Sequence, residues 1–77
     1  MGIAEQARGL RIRDLRLDRA FSQKDLARLV GVDYKTIAKW EMGKTFPRYV
    51  LLHKLAEALD VSIAYIRTGQ DDRRSSG

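Results

Sequence analysis

A glycine flanked by two helix-capping residues constrains this chain more than any other feature. Gly31 stands nine residues after Ser22 and two before Asp33. Ser22-Gln23-Lys24-Asp25 is a usable N-cap signature, with a serine offered to the first turn and an acid three positions on. Asp25 is shorter than the glutamate that usually completes such a box, which leaves its closure open. Leu26, Ala27, Leu29 and Val30 supply the apolar positions of the helix that follows. Gly31 suits the left-handed residue that ends a helix. Only Val32 intervenes before Asp33, a second N-cap candidate. The next helix is then Tyr34 to about Met42, with Ile37 and Trp40 facing inward and Gly43 ending it.

The rest of the chain reads as helix as well. A first helix is expected from about Ile3 to Arg19, with Ile12 and Leu15 on one face and Leu10 and Leu17 on an offset strip. After the loop Lys44-Thr45-Phe46-Pro47, a fourth helix runs from about Arg48 to Leu59. Tyr49, Leu52, Leu55, Ala56 and Leu59 recur there at core spacing. Asp60 sits where Gly or Asn would be the preferred cap. Ser62 caps a short fifth helix carrying Ile63 and Ile66 and closed by Gly69. Nothing alternates in polarity as a strand would. The expectation is an all-α, five-helix domain over residues 1–69, with a polar, disordered tail over 70–77.

Composition narrows the function. With 77 residues and no cysteine, one domain is expected, and neither disulfides nor cysteine-bound zinc can hold it together. No apolar run is long enough to span a membrane, and no signal peptide is recognisable at the start. A cytoplasmic protein is expected. His53 is the only histidine, so a metal or catalytic centre lacks the partners it needs. No phosphate-binding loop, nucleophile elbow or zinc-protease motif occurs, so the chain is not expected to be an enzyme or to carry a cofactor or small-molecule ligand. The charge is +5 overall and is unevenly spread. Between Arg8 and Arg48 eleven basic residues face five acidic ones, a local +6. Such an excess attracts polyanions, although basic residues alone also make an ordinary solvated surface.

Two helices joined by a three- or four-residue turn containing glycine form a helix-turn-helix. The second helix of that motif lies in the major groove of DNA. Its outward positions here are Tyr34, Lys35, Ala38 and Lys39, because Ile37 and Trp40 point the other way. The segment SQKDLARLVGVDYKTIAKWEMGKTFP resembles the Cro and phage-repressor (XRE-type) family. Its S-Q-x-x-L-A, G-V, T-I-x-x-W-E-x-G and following proline are all present, and the likeness extends from about Leu10 to Gly69. Asp60, Val50 and Leu51 depart from the residues common in that family.

The resemblance implies roles residue by residue. Tyr34, Lys35 and Lys39 meet base edges, and which of the two lysines reads a base and which neutralises a phosphate is left open. Gln23 holds a phosphate and braces the reading helix, Thr36 bonds a phosphate, and Lys44, Thr45 and Arg48 lie along the backbone. Glu41 pairs with Arg16, joining the first and third helices; that this bond sets the reading helix's angle is a further expectation. Asp33 is read as a cap rather than a reader, Trp40 as core and His53 as a surface residue. The chemistry agrees, since lysine donates to guanine O6 and N7 while amides, hydroxyls and lysines suit phosphates.

The resemblance further implies a transcriptional regulator, a repressor by preference, acting on a double-stranded operator in a bacterial or phage-encoded, nucleoid-associated setting. A homodimer on DNA is expected, since the motif reads two half-sites one turn apart. Val50 and Leu51, with Tyr65 or Ile66, are candidate dimer contacts, and Leu10 and Leu17 are a rival surface. The other readings are a protein-interaction module such as an antitoxin or anchoring domain, and the DNA-binding part of a longer regulator.

Overall fold

The computed structural model describes residues 2–70, so the expectation for the tail falls outside the described residues apart from Gln70. Five helices follow in order: α1 (Ile3–Asp18), α2 (Gln23–Val30), α3 (Tyr34–Glu41), α4 (Tyr49–Leu59) and α5 (Ile63–Thr68). The cap residues account for where they begin. Ser22 accepts from the Asp25 amide and Asp25 accepts from the Ser22 amide, each at 2.9 Å, so the shorter acid closes the box after all. Asp33 accepts from the Lys35 amide at 2.8 Å and is the cap of α3. Gly31 ends α2 at φ 88°, where a side chain would be strained. Asp60 adopts the left-handed conformation at φ 58° that the sequence asks of it.

One core lies between the helices. Ile12, Leu26, Val30, Ile37, Leu55, Leu59 and Ile66 are its fully buried side chains. Each stabilises the fold by about 1.5–3 kcal/mol relative to exposure. Trp40 joins them, as expected from its side of α3. Two fourth-helix expectations change. Arg48 is the N-cap of α4 rather than its first residue. Tyr49 is 64% exposed and packs edge-on to His53 with ring centroids 4.5 Å apart. It lies in the first turn of α4, ahead of the core stripe that begins at Leu52. Ile66 is fully buried, so it has no surface to offer a second subunit. Of that either-or pair only Tyr65, half-buried against the core, reaches the outside. Leu29, Leu10 and Leu17 are exposed.

Arginines of α1 and its C-cap hold α4 and α5 by their carbonyl ends. The Arg11 guanidinium donates to the Ile66 carbonyl at 2.9 Å, in α5. Arg19 donates to the Leu59 carbonyl at the end of α4 and to the Asp60 carboxylate, both at 3.1 Å. Arg16 donates to the Phe21 carbonyl at 2.7 Å, in the link to α2. Arg11 and Arg19 meet the unsatisfied carbonyls that helix C-termini present and favour the negative pole there. A good part of the basic excess seen in the sequence is therefore occupied inside the protein.

Candidate nucleic-acid interface

The third helix has two sides with different tasks. Inward, Ile37, Trp40 and Glu41 are buried. Glu41 is one of two buried charged residues among those described, and the other, Arg16, is its partner. Arg16 Nε donates to Glu41 Oε2 at 2.6 Å and Nη2 donates to Oε1 at 3.3 Å. Gln23 Nε2 donates to Oε1 as well, at 3.0 Å. One carboxylate thus ties together α1, the first turn of α2 and the last residue of α3. With side-chain exposures of 9% and 4%, the pair is shielded from solvent, so its attraction is little screened. Breaking one member would leave the other buried without compensation.

The same junction depends on Gly9. A Cβ there would stand 2.5 Å from the Glu41 carbonyl oxygen and 2.6 Å from that of Trp40. Only a residue without a side chain lets α1 pass so near the end of α3.

Outward, Tyr34, Lys35 and Lys39 are exposed, and Thr36 and Ala38 are half-buried. Neither the Lys35 nor the Lys39 ammonium has an ion pair or hydrogen bond among the described residues. Their charges are available to a ligand. Lys24, at the start of α2, lies with its ammonium 5.2 Å from the centre of the Tyr34 ring. That contact favours one placement of the ring. Sequence reasoning missed it, because residues ten apart in two helices share no repeat that would announce them.

The loop after α3 carries the other expected cations. Lys44, Thr45 and Arg48 are all exposed. Phe46 beside them is half-buried and lies under the Arg8 guanidinium, 4.5 Å from its centre, while Arg8 also faces Glu5 at 3.9 Å. The first helix therefore supports this loop as well as α3. The structure brings Gln23 and Lys44 to one cleft, which Ala38 and Met42 also line, whereas Tyr34, Lys35 and Lys39 do not line it.

A fixed helix with free lysines on its outer face, entered through a capped turn, defines a DNA-binding helix-turn-helix. A family model described as helix-turn-helix matches residues 12–66. The chain belongs to that family, of the XRE type, and is a sequence-specific DNA-binding transcriptional regulator. It is similar to the solved crystal structure of the restriction-modification controller protein C.AhdI from Aeromonas hydrophila. The two share 34% identity with a TM-score of 0.76, covering 80% of this chain and 94% of that one. Among curated protein sequences nothing matches. No helix among the described residues is long and apolar enough to cross a membrane.

Proposed function

We propose that α3 is the reading helix, entering the major groove N-terminus first, with Tyr34, Lys35 and Lys39 at base edges. Gln23, Thr36, Lys44, Thr45 and Arg48 hold phosphates on either side and set its register. The observation that carries this reading is the contrast within α3. Its inner side is locked by Ile37, Trp40 and the Arg16–Glu41–Gln23 cluster, while both lysines outside are unpaired among the described residues. Phosphate contacts position such a domain and base contacts give it sequence preference. The action is binding without a chemical step and needs no cofactor. Where the operator overlaps a promoter, occupancy represses.

The protein works as a homodimer on two half-sites in the cytoplasm of a bacterium. Val50 and Leu51 at the start of α4, with Tyr65, form the contact. Val50 is 66% exposed, which supports its place there. Likeness to a restriction-modification controller supports a regulatory task over that of an antitoxin or anchoring module, and makes the control of restriction and modification genes the first target to test.

Selection of bound duplexes from a random pool tests the reading directly, because it yields the half-site and its symmetry. Lys39→Ala then divides the two lysine roles. Loss of about 1–3 kcal/mol with relaxed preference at one base pair marks a base contact. Uniform weakening with a salt slope lower by about one marks a phosphate contact. Wild-type affinity at low and high salt removes Lys39 from the interface.

A further inference from the structure

The geometry points to Arg13 of α1 as an additional DNA-phosphate contact, at a cleft between α1 and α3 that seats the sugar-phosphate strand beside the reading helix. This rests on α3 being the groove helix and extends the interface to a helix outside the two-helix motif.

The cleft has a volume of about 590 Å³. Arg13, Gln23 and Lys44 line it with Leu10, Ala38 and Met42. Gln23 and Lys44 are the two proposed phosphate holders that flank α3 in sequence, one before it and one after. A strand held by both must cross the cleft, and Arg13 stands on that path. Leu10 and Met42 are 53% and 52% exposed there, apolar surface that suits the carbon face of deoxyribose between phosphates. Glu41 also borders the cleft, but its carboxylate is taken by Arg16 and Gln23. The charge presented to a ligand is accordingly positive.

Arg13 is also distinct among the five arginines between positions 8 and 19. Arg8 faces Glu5 and Phe46, and Arg11, Arg16 and Arg19 bond carbonyls or carboxylates of other elements. Arg13 is exposed and makes no ion pair or hydrogen bond among the described residues. Clefts of about 610 and 490 Å³ are bordered by Asp18, Arg19 and Asp60 and by Arg11, Asp14 and Asp18, and neither offers a comparable excess of positive charge. Charge complementarity therefore selects the α1–α3 cleft, and a nucleic-acid backbone as its occupant.

The test compares Arg13→Ala, Arg13→Lys and Arg67→Ala in binding to duplex DNA over a salt series. Arg67, exposed on α5, removes the same charge away from the cleft. Arg13→Ala should weaken binding to selected and mixed-sequence duplexes alike, by roughly three- to tenfold, and lower the salt slope by about one. Arg13→Lys should retain the slope, and Arg67→Ala should leave it unchanged. Equal slopes for Arg13→Ala and Arg67→Ala overturn the proposal, whatever their common value, because the effect would then be general charge. If Arg13→Ala matches the wild type while Lys39→Ala and Lys44→Ala weaken binding, the cleft is excluded and the reading of α3 stands. If none of the three weakens binding, the reading of α3 fails with it. Thermal melting of each variant separates lost contact from lost fold.

Discussion

Charged side chains in this protein divide between folding and the proposed recognition surface, with Arg16 at the join of the two. Asp25 serves folding. The Ser22 amide, above all, and then the Ser22 hydroxyl hold its carboxyl below the 3.8 of a free aspartate; desolvation opposes them and the Arg28 charge adds a lesser pull in the same direction. A carboxyl whose folded pKa is depressed contributes stability above its unfolded pKa and loses it as pH falls through the folded one. Asp25→Asn should therefore melt below the wild type near neutral pH, and the difference should close as pH drops below 3.8. Melting curves across that range check it; a gap that persists in acid would assign the effect to shape instead of charge. Arg16 serves folding through its buried pair with Glu41 and is proposed to serve recognition as well. Arg16→Met leaves Glu41 buried without its main partner and should cost about 3–5 kcal/mol, whereas adding Glu41→Met should recover much of it. If the pair also sets the angle of α3, the double variant regains stability in denaturant titration without regaining DNA affinity. Recovery of both together would reduce the pair to a packing role.

At the scale of helices, the decisive contact is the crossing of α1 over the end of α3. Gly9→Ala places a methyl against two backbone carbonyls that cannot step aside without moving α3. Overpacking of this kind costs about 1–3 kcal/mol, and here the displacement falls on the reading helix. Urea titration and duplex binding should both register it, with affinity falling even where the protein remains fully folded. How much of this was legible in the sequence depends on the range of the interaction. Caps were readable because Ser22 and Asp33 bond amides two or three residues away, and the helix boundaries follow from them. The core stripe of α4 was readable from Leu52 onward, but Tyr49 continues the apolar spacing beyond the point where α4 meets the core. Arg16–Glu41 followed from a family resemblance, which carries information about pairs 25 residues apart. Gly9, Arg8 over Phe46 and Lys24 over Tyr34 were not readable. Each joins elements with no common period, and a glycine inside a helix does not disclose what approaches it. The net basic charge also overstated the DNA surface, because Arg11, Arg16 and Arg19 bond carbonyls within the protein.

For the whole molecule, the proposed dimer has to place two copies on one operator. The described residues span 32 × 28 × 23 Å. Under a twofold axis equivalent helices stand apart by twice their distance from that axis, and a molecule of this width has room to hold α3 at half of the roughly 34 Å between successive major grooves on one face of B-DNA. The contact must be on a side that leaves α3 free. Leu10 lines the α1–α3 cleft beside Lys44, and a subunit seated on it would cover groups proposed to hold phosphates. Val50 stands in the first turn of α4, and Leu51 beside it packs against the core, so an added subunit there would bury Val50 over a firm base. Val50→Glu places like charges across a twofold contact, where each copy meets the other's substitution. It should lower dimer content in sedimentation and weaken binding to a two-half-site duplex much more than to a single half-site. The monomer's melting temperature should change little, since position 50 is exposed. Equal weakening on both duplexes would locate the effect within one subunit's DNA contacts, and dimer content unchanged by Val50→Glu but lost in Leu17→Glu would move the twofold axis to α1.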